Sequence, residues 1–359
     1  MRAMTVRGPV AAEELGVVLP HEHLLIDLTY RWERPHDPAE RAVAEAPLTM
    51  DRLGIARRRM GLIRDNLLLS DVQLAIDGLR ELKSVGGGTV VDCSQEGIGR
   101  NPLALRTISE ESGVHVVAPC GAYLAASHPS YIREASADEL AERLIRELTD
   151  GIGDTGVRAG WIGELGVGQP MYGTFLRSMP AHEEAMAPEE EKVLRAAARV
   201  QAETGAPIAV HIWNWRPNRL GLMALDILES AGADPARVVI CHLDVHPDLE
   251  MALAIADRGA TVELDTFGLE DYHDAALSQY ARDTDRMALL MALVERGYVR
   301  QVLISQDVCT KTQTVAYGGW GYAHITRHIE PRLRARGLSE ADLRTIRVEN
   351  PGRLLAYLP

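Results

Sequence analysis

The sequence predicts an α/β fold in which eight parallel strands and their helices close into a single (β/α)8 barrel, a TIM barrel. Eight short β-branched runs recur along the 359 residues, and each is followed by a longer segment with helical periodicity. No topological break interrupts this alternation. Strict alternation of strand and helix gives a parallel sheet with both faces covered, and eight successive units favour closure over an open sheet.

The predicted strands are rich in Val and Ile. They are GVVLPH (16–21), GTVVDC (88–93), VHVVAPCG (114–121), GWIGELG (160–166), PIAVHIW (207–213), VVICHLD (238–244), ATVELDTFG (260–268) and QVLISQD (301–307). Residues 136–152, 188–205 and 247–259 carry apolar residues at helical spacing and a glycine at or near the end, which predicts crossover helices. An open dinucleotide-binding sheet is the main rival, but GIGRNP (97–102) lacks the third glycine and the position of its fingerprint. We therefore expect one domain over residues 1–359.

Three segments are longer than ordinary connections: residues 29–62, 167–187 and 308–323. Long loops in a compact domain are often lids or binding loops. Alternatively, they cover the surface or build an oligomer contact.

The composition is that of a soluble globular protein, with 46% hydrophobic and 25% charged residues. A net charge of -13 argues against a nucleic-acid surface, which needs concentrated Lys and Arg. Four widely spaced cysteines indicate neither a disulfide framework nor a thiolate zinc site. The chain shows no signal-peptide pattern and no apolar run of about 18 residues. We expect a cytoplasmic protein that acts on a small molecule, without membrane or nucleic-acid partners.

Two histidines stand one residue apart where the first predicted strand ends. Because side chains alternate along a strand, His21 and His23 project to the same side, where two imidazoles can share one cation. Such a pair is also common as ordinary polar residues at a strand end. Here, however, His211, His242 and Asp307 end the fifth, sixth and eighth predicted strands, on the face where these barrels place catalysis.

Imidazole nitrogens and a carboxylate suit zinc first, with manganese, cobalt or iron as alternatives. Four histidines and one aspartate exceed the needs of one tetrahedral ion, so we expect two divalent ions. Cations about 3.5–4 Å apart need a negative bridge. Glu164, at the end of the fourth predicted strand, can supply it, and the flanking Gly163 and Gly166 leave room for a crowded centre.

A pair of bridged cations lowers the pKa of a shared water toward about 7 and so supplies hydroxide at neutral pH. Asp307, facing that hydroxide, can accept its proton and pass it to the leaving group.

Cys241 is out of phase with His242 and is expected to point toward the helices as a core residue.

The chain resembles the phosphotriesterase-like family of the amidohydrolase superfamily. The motifs that carry the resemblance are LPHEHL, VVDCSQEGIGRNP, GVHVVAPCGAY, AARVQAETGAPIAVH, ISQDV and RVENPGRLLA. The resemblance implies a barrel of the amidohydrolase type. It assigns His21, His23 and Asp307 to a more buried metal, His211 and His242 to a more exposed one, and the bridging position to Glu164. A glutamate bridge resembles the phosphotriesterase-related and resiniferatoxin-binding subgroup, because the best-known family members have a carboxylated lysine there.

The predicted function is binuclear metal-dependent hydrolysis of a carboxylic ester, lactone or amide. Phosphoester or phosphotriester hydrolysis, a mononuclear deaminase and a non-catalytic ligand-binding barrel are the alternatives. The resemblance implies that Tyr123 lies near the substrate carbonyl and that the chain can form a homodimer. Trp213 and Arg216, just past His211, and Trp320, after Asp307, are predicted substrate contacts.

Overall fold

The computed structural model describes residues 1–168, 186–212, 219–274 and 278–358. All eight predicted strands are present in it, so the predicted TIM barrel is confirmed. They are β1 (Val17–Glu22), β2 (Gly87–Asp92), β3 (His115–Val117, resuming at Pro119–Cys120), β4 (Trp161–Val167), β5 (Ile208–Ile212), β6 (Val238–Ile240), β7 (Thr261–Leu264) and β8 (Val302–Ile304).

Neighbouring strands pair in parallel and in chain order. The two parts of β3 each join one run of strands: β1, β2 and β3 form the first run, and β3 to β8 form the second. Between β8 and β1, the amide of Asp307 donates to the carbonyl of His21 at 3.3 Å, and the amide of His21 donates to Ser305 Oγ at 3.2 Å. The chain therefore returns to its first strand at the end that carries the candidate ligands.

Helices surround the barrel. The longer ones are α1 (Val72–Ser84), α2 (Pro102–Ser112), α3 (Ala137–Thr149), α4 (Pro188–Thr204), α5 (Leu220–Ser230), α6 (Leu249–Asp257) and α7 (Asp283–Glu295). Ser136 and Glu139 form a capping box that starts α3. Gly205, at φ +74°, ends α4 with its amide 2.7 Å from the carbonyl of Gln201. The three helices predicted from periodicity are thus confirmed to within three residues.

Shorter elements complete the fold. The helices are Pro38–Ala44, Leu53–Arg58, Ser130–Glu134, Glu330–Ala335, Glu340–Arg344 and Asn350–Leu355, and the strands are Arg2–Thr5, Gly8–Ala11, Ile26–Asp27, Leu68–Leu69, Tyr272–His273, Ser278–Gln279 and Ala356–Leu358. Arg2–Thr5 pairs with both Gly8–Ala11 and Ala356–Leu358. This small sheet brings the two ends of the chain together.

Successive strand residues face two separate apolar layers. An inner buried cluster combines residues from seven strands: Val18, Val91, Val117, Trp161, Ala209, Val239 and Leu303. Their neighbours Leu19, Ile208 and Ile240 pack instead with helix residues in the outer cluster. Side chains thus fill the barrel, and ligand sites remain at its mouth.

Of the three long segments, residues 29–62 contain two of the short helices, and residues 308–323 contain the turns Lys311–Gln313 and Val315–Tyr317. The segment 167–187 lies almost entirely outside the described residues. A single domain over residues 1–359 stays our prediction. Within the described part of the chain, no helix has both the length and the apolar character needed to cross a membrane.

Candidate metal centre

The carboxylate of Glu164 lies at the centre of four imidazoles. Its Oε1 is 3.4 Å from His23 Nε2. Its Oε2 is 3.4 Å from His21 Nε2, 2.8 Å from His211 Nδ1 and 3.3 Å from His242 Nε2. One carboxylate thus presents an oxygen to each side of the cluster, as a bridge between two ions requires.

Asp307 lies on the His21 and His23 side of this cluster. Its Oδ1 is 3.3 Å from His23 Nε2 and 4.0 Å from His21 Nε2. The Asp307 side chain is 16% exposed, whereas that of His21 is fully buried. The structure therefore brings all six predicted ligands together, with Asp307 facing the open end.

Two buried carboxylates hold two of the imidazoles from behind. His21 Nδ1 lies 3.1 Å from Glu263 Oε2 and 3.2 Å from Asp265 Oδ2. His242 Nδ1 lies 2.8 Å from Asp265 Oδ1. Because carboxylates accept hydrogen bonds from these nitrogens, Nε2 of each ring is left as the lone-pair donor. The supporting roles of Asp265 and Glu263 were not predicted, although both residues fall in the seventh predicted strand. The position of Asp265, a carboxylate just past a strand end, was the signal that could have indicated its role.

The other two imidazoles are held by hydroxyl groups. His23 Nδ1 lies 2.9 Å from Ser94 Oγ, which leaves its Nε2 toward Glu164. His211 is turned the other way, with Nδ1 toward Glu164 and Nε2 3.2 Å from the Tyr123 hydroxyl. Every candidate imidazole thus directs one nitrogen at Glu164.

The backbone departs from regular geometry where the ligands are placed. The β1–β2 register shifts between Leu19 and Glu22, and the β4–β5 register shifts where β4 has one residue more than β5, around Glu164. Among the described residues other than glycine, positive φ occurs at His242 (61°) and Asp307 (48°). Bulges and left-handed residues of this kind redirect side chains and concentrate at functional sites.

The position of Cys241 corrects a prediction. Cys241 packs in the inner cluster with Val239, and its sulfur lies among the ligand atoms of His21 and Asp265, whereas we expected it to face the helices. The error follows from assuming that the strand alternation continues to His242. The left-handed backbone of His242 instead turns that imidazole inward beside Cys241.

Glu22, between the two histidines of the motif, points away from Glu164 and holds the end of β8. Its Oε1 accepts from the amide of Gln306 at 3.0 Å, and its Oε2 accepts from the amide of Val308 at 2.9 Å. These amides flank Asp307, so Glu22 fixes the backbone that presents this candidate base.

The charges of the cluster are set by burial and by close partners. Burial disfavours the charged ring of His211 and lowers its pKa to about 4, although Glu164 opposes this. Burial acts the same way on His242, but Asp265 outweighs it and raises the pKa to about 10. For Glu164, burial favours the neutral acid, yet His211 and His21 hold its pKa well below the usual range. Protonated imidazoles thus keep the buried Glu164 carboxylate ionised when no metal is bound, and a bound divalent ion would supply that positive charge in their place.

These groups fit divalent metal ions. His21 Nε2 is buried and makes no regular hydrogen bond among the described residues, and its neighbour Glu164 Oε2 is 3.4 Å away, which is the state expected of a metal-binding nitrogen. The ligand atoms of His21, His23 and Asp307, and those of His21, Glu164 and His242, lie within 4.8 Å of one another. Imidazole and carboxylate donors with carboxylate support suit zinc and related ions.

A cavity of about 80 Å³ opens onto the cluster, and every candidate ligand except His21 lines it. Most of the remaining lining is apolar, as at Leu28, Leu67 and Leu269, and Arg31 and Tyr123 add polar groups. Apolar walls with a few convergent polar groups are typical of small-molecule sites.

Of the predicted substrate contacts, Tyr123 lines the cavity and Trp320 does not. Tyr123 lines the cavity next to His211. Trp213 and Arg216 lie outside the described residues. Trp320 packs against the apolar cluster of Val245, Leu269 and Tyr280, and these three line the cavity while Trp320 does not. Trp320 therefore supports the wall of the cavity from behind.

Gly166 allows β4 to approach the segment that follows β3, and its replacement by alanine is expected to destabilise the protein by about 1–3 kcal/mol. A Cβ there would lie 2.2 Å from the amide nitrogen of Leu124 and 2.4 Å from the carbonyl carbon of Tyr123, so backbone must shift. Thermal unfolding checks this. Gly54→Ala is the control, because its Cβ would meet no atom within 4 Å, and equal melting temperatures of the two variants would contradict the prediction.

Asp265→Asn is expected to lower metal affinity by about 10- to 100-fold, since one carboxylate orients both His21 and His242. Competition with a chelator of known affinity measures the effect. The exposed Asp154→Asn serves as the control and should bind metal like the unmodified protein. An Asp265 variant with unaltered affinity would remove this carboxylate from the centre.

Comparisons with known proteins identify the family of this chain. The family model for the phosphotriesterase family matches residues 1–355. N-acetyltaurine hydrolase from Xenopus tropicalis is 32% identical over 361 residues, covering 99% of this chain and 98% of that protein. A resiniferatoxin-binding protein from Rhodobacter sphaeroides has a TM-score of 0.91 at 38% identity, covering 99% of this chain and 94% of that one. A mutant of a phosphotriesterase-like lactonase from Deinococcus radiodurans has a TM-score of 0.75 at 29% identity, covering 99% of this chain and 100% of that one.

The matches extend over nearly the whole chain and confirm the resemblance predicted from the sequence. Enzymes of this family are metal-dependent, and the described residues contain a matching cluster of potential ligands. The chain belongs to the phosphotriesterase family and is a hydrolase.

Proposed function

We propose that this hydrolase uses two divalent metal ions to cleave the amide bond of small N-acyl amines, with N-acetyltaurine as the first substrate to test. The observation that carries the proposal is the convergence of four imidazoles on the two oxygens of Glu164, with Asp307 beside them. The bond class comes from the relatives named N-acetyltaurine hydrolase.

The ligands divide into two sets. His21, His23 and Asp307 would hold one ion, His211 and His242 the other, and Glu164 would lie between them. Bound there, divalent ions, zinc first, would lower the pKa of a water molecule to about 7 and polarise the substrate carbonyl.

Asp307 is placed to move the proton that amide hydrolysis requires. Asp307 lines the cavity, and its side chain is the most exposed of the six candidate ligands. It would accept a proton from the attacking water and return it to the amide nitrogen, because an amine leaves far more readily when protonated. The Tyr123 hydroxyl, also in the cavity, would donate a hydrogen bond to the carbonyl oxygen as negative charge develops there.

Lactone hydrolysis is the second candidate, because a lactone is opened by the same attack on a carbonyl and one structural neighbour is a lactonase. Phosphotriesters have less support, because Glu164 stands where the best-known phosphotriesterases of the family have a carboxylated lysine. A mononuclear deaminase would need an acid shortly after the histidine of β5, and the sequence there is HIWN.

A parallel assay of the metal-loaded protein tests the proposal, with N-acetyltaurine, δ-valerolactone and diethyl 4-nitrophenyl phosphate as substrates. We expect kcat/KM for the amide to exceed the other two by about 100-fold or more. A larger value for the lactone would move the assignment to lactonase. Absence of turnover on all three, with the metal bound, would contradict both candidates.

Two further proposals concern the cellular location and the oligomeric state of the enzyme. Cys93, Cys120, Cys241 and Cys309 are unpaired in the structure, which supports a reducing, cytoplasmic location. The homodimer stays a prediction from the family resemblance.

A further inference from the structure

Arg31 occupies a fixed place at the wall of the cavity. It ends the turn Thr29–Arg31, which follows the short strand Ile26–Asp27. Its Nε donates to the Tyr30 hydroxyl at 2.8 Å, and its Nη2 donates to the Tyr123 hydroxyl. The guanidinium carbon lies 5.4 Å and 5.3 Å from the centres of these two rings. These hydrogen bonds and cation–π contacts with described residues help to hold the plane of the guanidinium.

This side chain brings a permanent positive charge next to the candidate metal centre. It is the one Lys or Arg among the described residues that line the cavity. The Tyr123 hydroxyl to which it donates is 3.2 Å from His211 Nε2. The guanidinium is thus one side chain away from a candidate metal ligand, in a chain whose net charge of -13 disfavours anions elsewhere.

The geometry relates the charge to the scissile bond. In the proposed reaction the substrate carbonyl accepts a hydrogen bond from the Tyr123 hydroxyl, the same group to which Arg31 donates. Because Arg31 and Tyr123 are in direct contact, an anionic group only a few bonds beyond the carbonyl is within reach of the guanidinium, which favours a short spacer. Apolar residues such as Leu28 and Leu67 suit an aliphatic spacer.

We propose that Arg31 determines specificity by binding the anionic end, a sulfonate or carboxylate, of an N-acyl amine with a short aliphatic spacer. The inference rests on the proposed amide hydrolysis and adds the substrate class. Arginine suits this role because its planar fork of N–H donors matches the oxygens of such anions.

The test compares N-acetyltaurine with N-(3,3-dimethylbutyl)acetamide, in which a neutral tert-butyl group replaces the sulfonate. Arg31→Met is expected to lower kcat/KM for N-acetyltaurine relative to the neutral amide by about 10- to 150-fold, mainly through KM. In the same variant, kcat/KM for N-acetyl-β-alanine, which has a carboxylate in place of the sulfonate, is expected to fall by a similar factor. A loss confined to one of the two anions would restrict the site to that anion.

Three further variants separate charge from position. Arg31→Lys keeps the positive charge and should recover part of the preference for anions. Tyr123→Phe removes the hydroxyl beside the carbonyl and one hydrogen bond to Arg31, so it should slow both amides but reduce the preference for anions less than Arg31→Met does. Arg34→Met is the matched control, because Arg34 is exposed and does not line the cavity, and its preference should equal that of the unmodified enzyme.

An equal loss on the anionic and neutral amides in Arg31→Met would overturn the proposal, because Arg31 would then act only through Tyr123. If the unmodified protein cleaves neither amide, the proposed function fails, and calorimetry of N-acetyltaurine binding decides about Arg31 separately. Binding that is weaker in Arg31→Met supports the anion site. Binding of equal strength in both proteins, or none to the unmodified protein, contradicts it.

Discussion

Asp307→Asn is expected to lower kcat on N-acetyltaurine by about 100- to 10,000-fold and to leave the fold intact. An amide side chain has nearly the same shape but cannot accept a proton from water. The backbone should be unaffected, because φ is +48° at this position and asparagine tolerates that conformation as readily as aspartate. Glu22 also holds the neighbouring amides from outside the site. Steady-state kinetics and thermal unfolding of the same sample measure both parts.

The control for this variant is Asp77→Asn, which makes the same chemical change on the exposed face of α1. It should have unchanged kinetics. Full turnover in Asp307→Asn would refute the assignment of the base. A large fall in melting temperature would show instead that the carboxylate has a structural role.

Glu164→Gln is expected to reduce bound metal from two ions per chain to one or none and to abolish hydrolysis. The carboxylate presents one oxygen to His23 and the other to the remaining three imidazoles. Glutamine offers a single neutral oxygen, and its NH2 group would face imidazole nitrogens that are needed as donors to metal. Elemental analysis after dialysis, with protein concentration from amino-acid analysis, gives the stoichiometry.

Glu142→Gln, on the exposed side of α3, is the matched control and should retain the metal content of the unmodified protein. Two ions per chain in Glu164→Gln would show that the bridge is supplied by another group. Loss of one ion with activity retained would contradict the proposed binuclear chemistry.

The barrel could be predicted because each of its strands is a compact β-branched run that is local in sequence. The run from Val238 to Ile240, for instance, needs no knowledge of its neighbours to be recognised. The positions of the candidate ligands followed for the same reason: His211 and Asp307 stand where their strands end, and all strand ends of a parallel barrel meet at one mouth.

The orientation of several ligands could not be derived from strand alternation. If β1 continued its alternation from Leu19, His21 would face the helices, and the register shift before Glu22 turns it inward. His242 depends on its left-handed backbone, which also explains why the prediction for Cys241 was wrong. Such local departures are stabilised by tertiary contacts and leave little trace in the pattern of residues.

The supporting groups were missed because their partners are distant in sequence. Asp265 orients His21 across 244 positions of chain and His242 across 23, and only the closed barrel brings these groups together. Arg31 gave no signal because it is one of many charged residues in a long segment. Its role follows from its contact with Tyr123, which is 92 positions away in sequence.

A crystal structure of the zinc-loaded protein, with anomalous data on both sides of the zinc edge, tests the central claim most directly. We predict two anomalous peaks, one beside His21, His23 and Asp307 and the other beside His211 and His242, with Glu164 between them. A single peak at full occupancy, or no peak at these residues, would contradict the account.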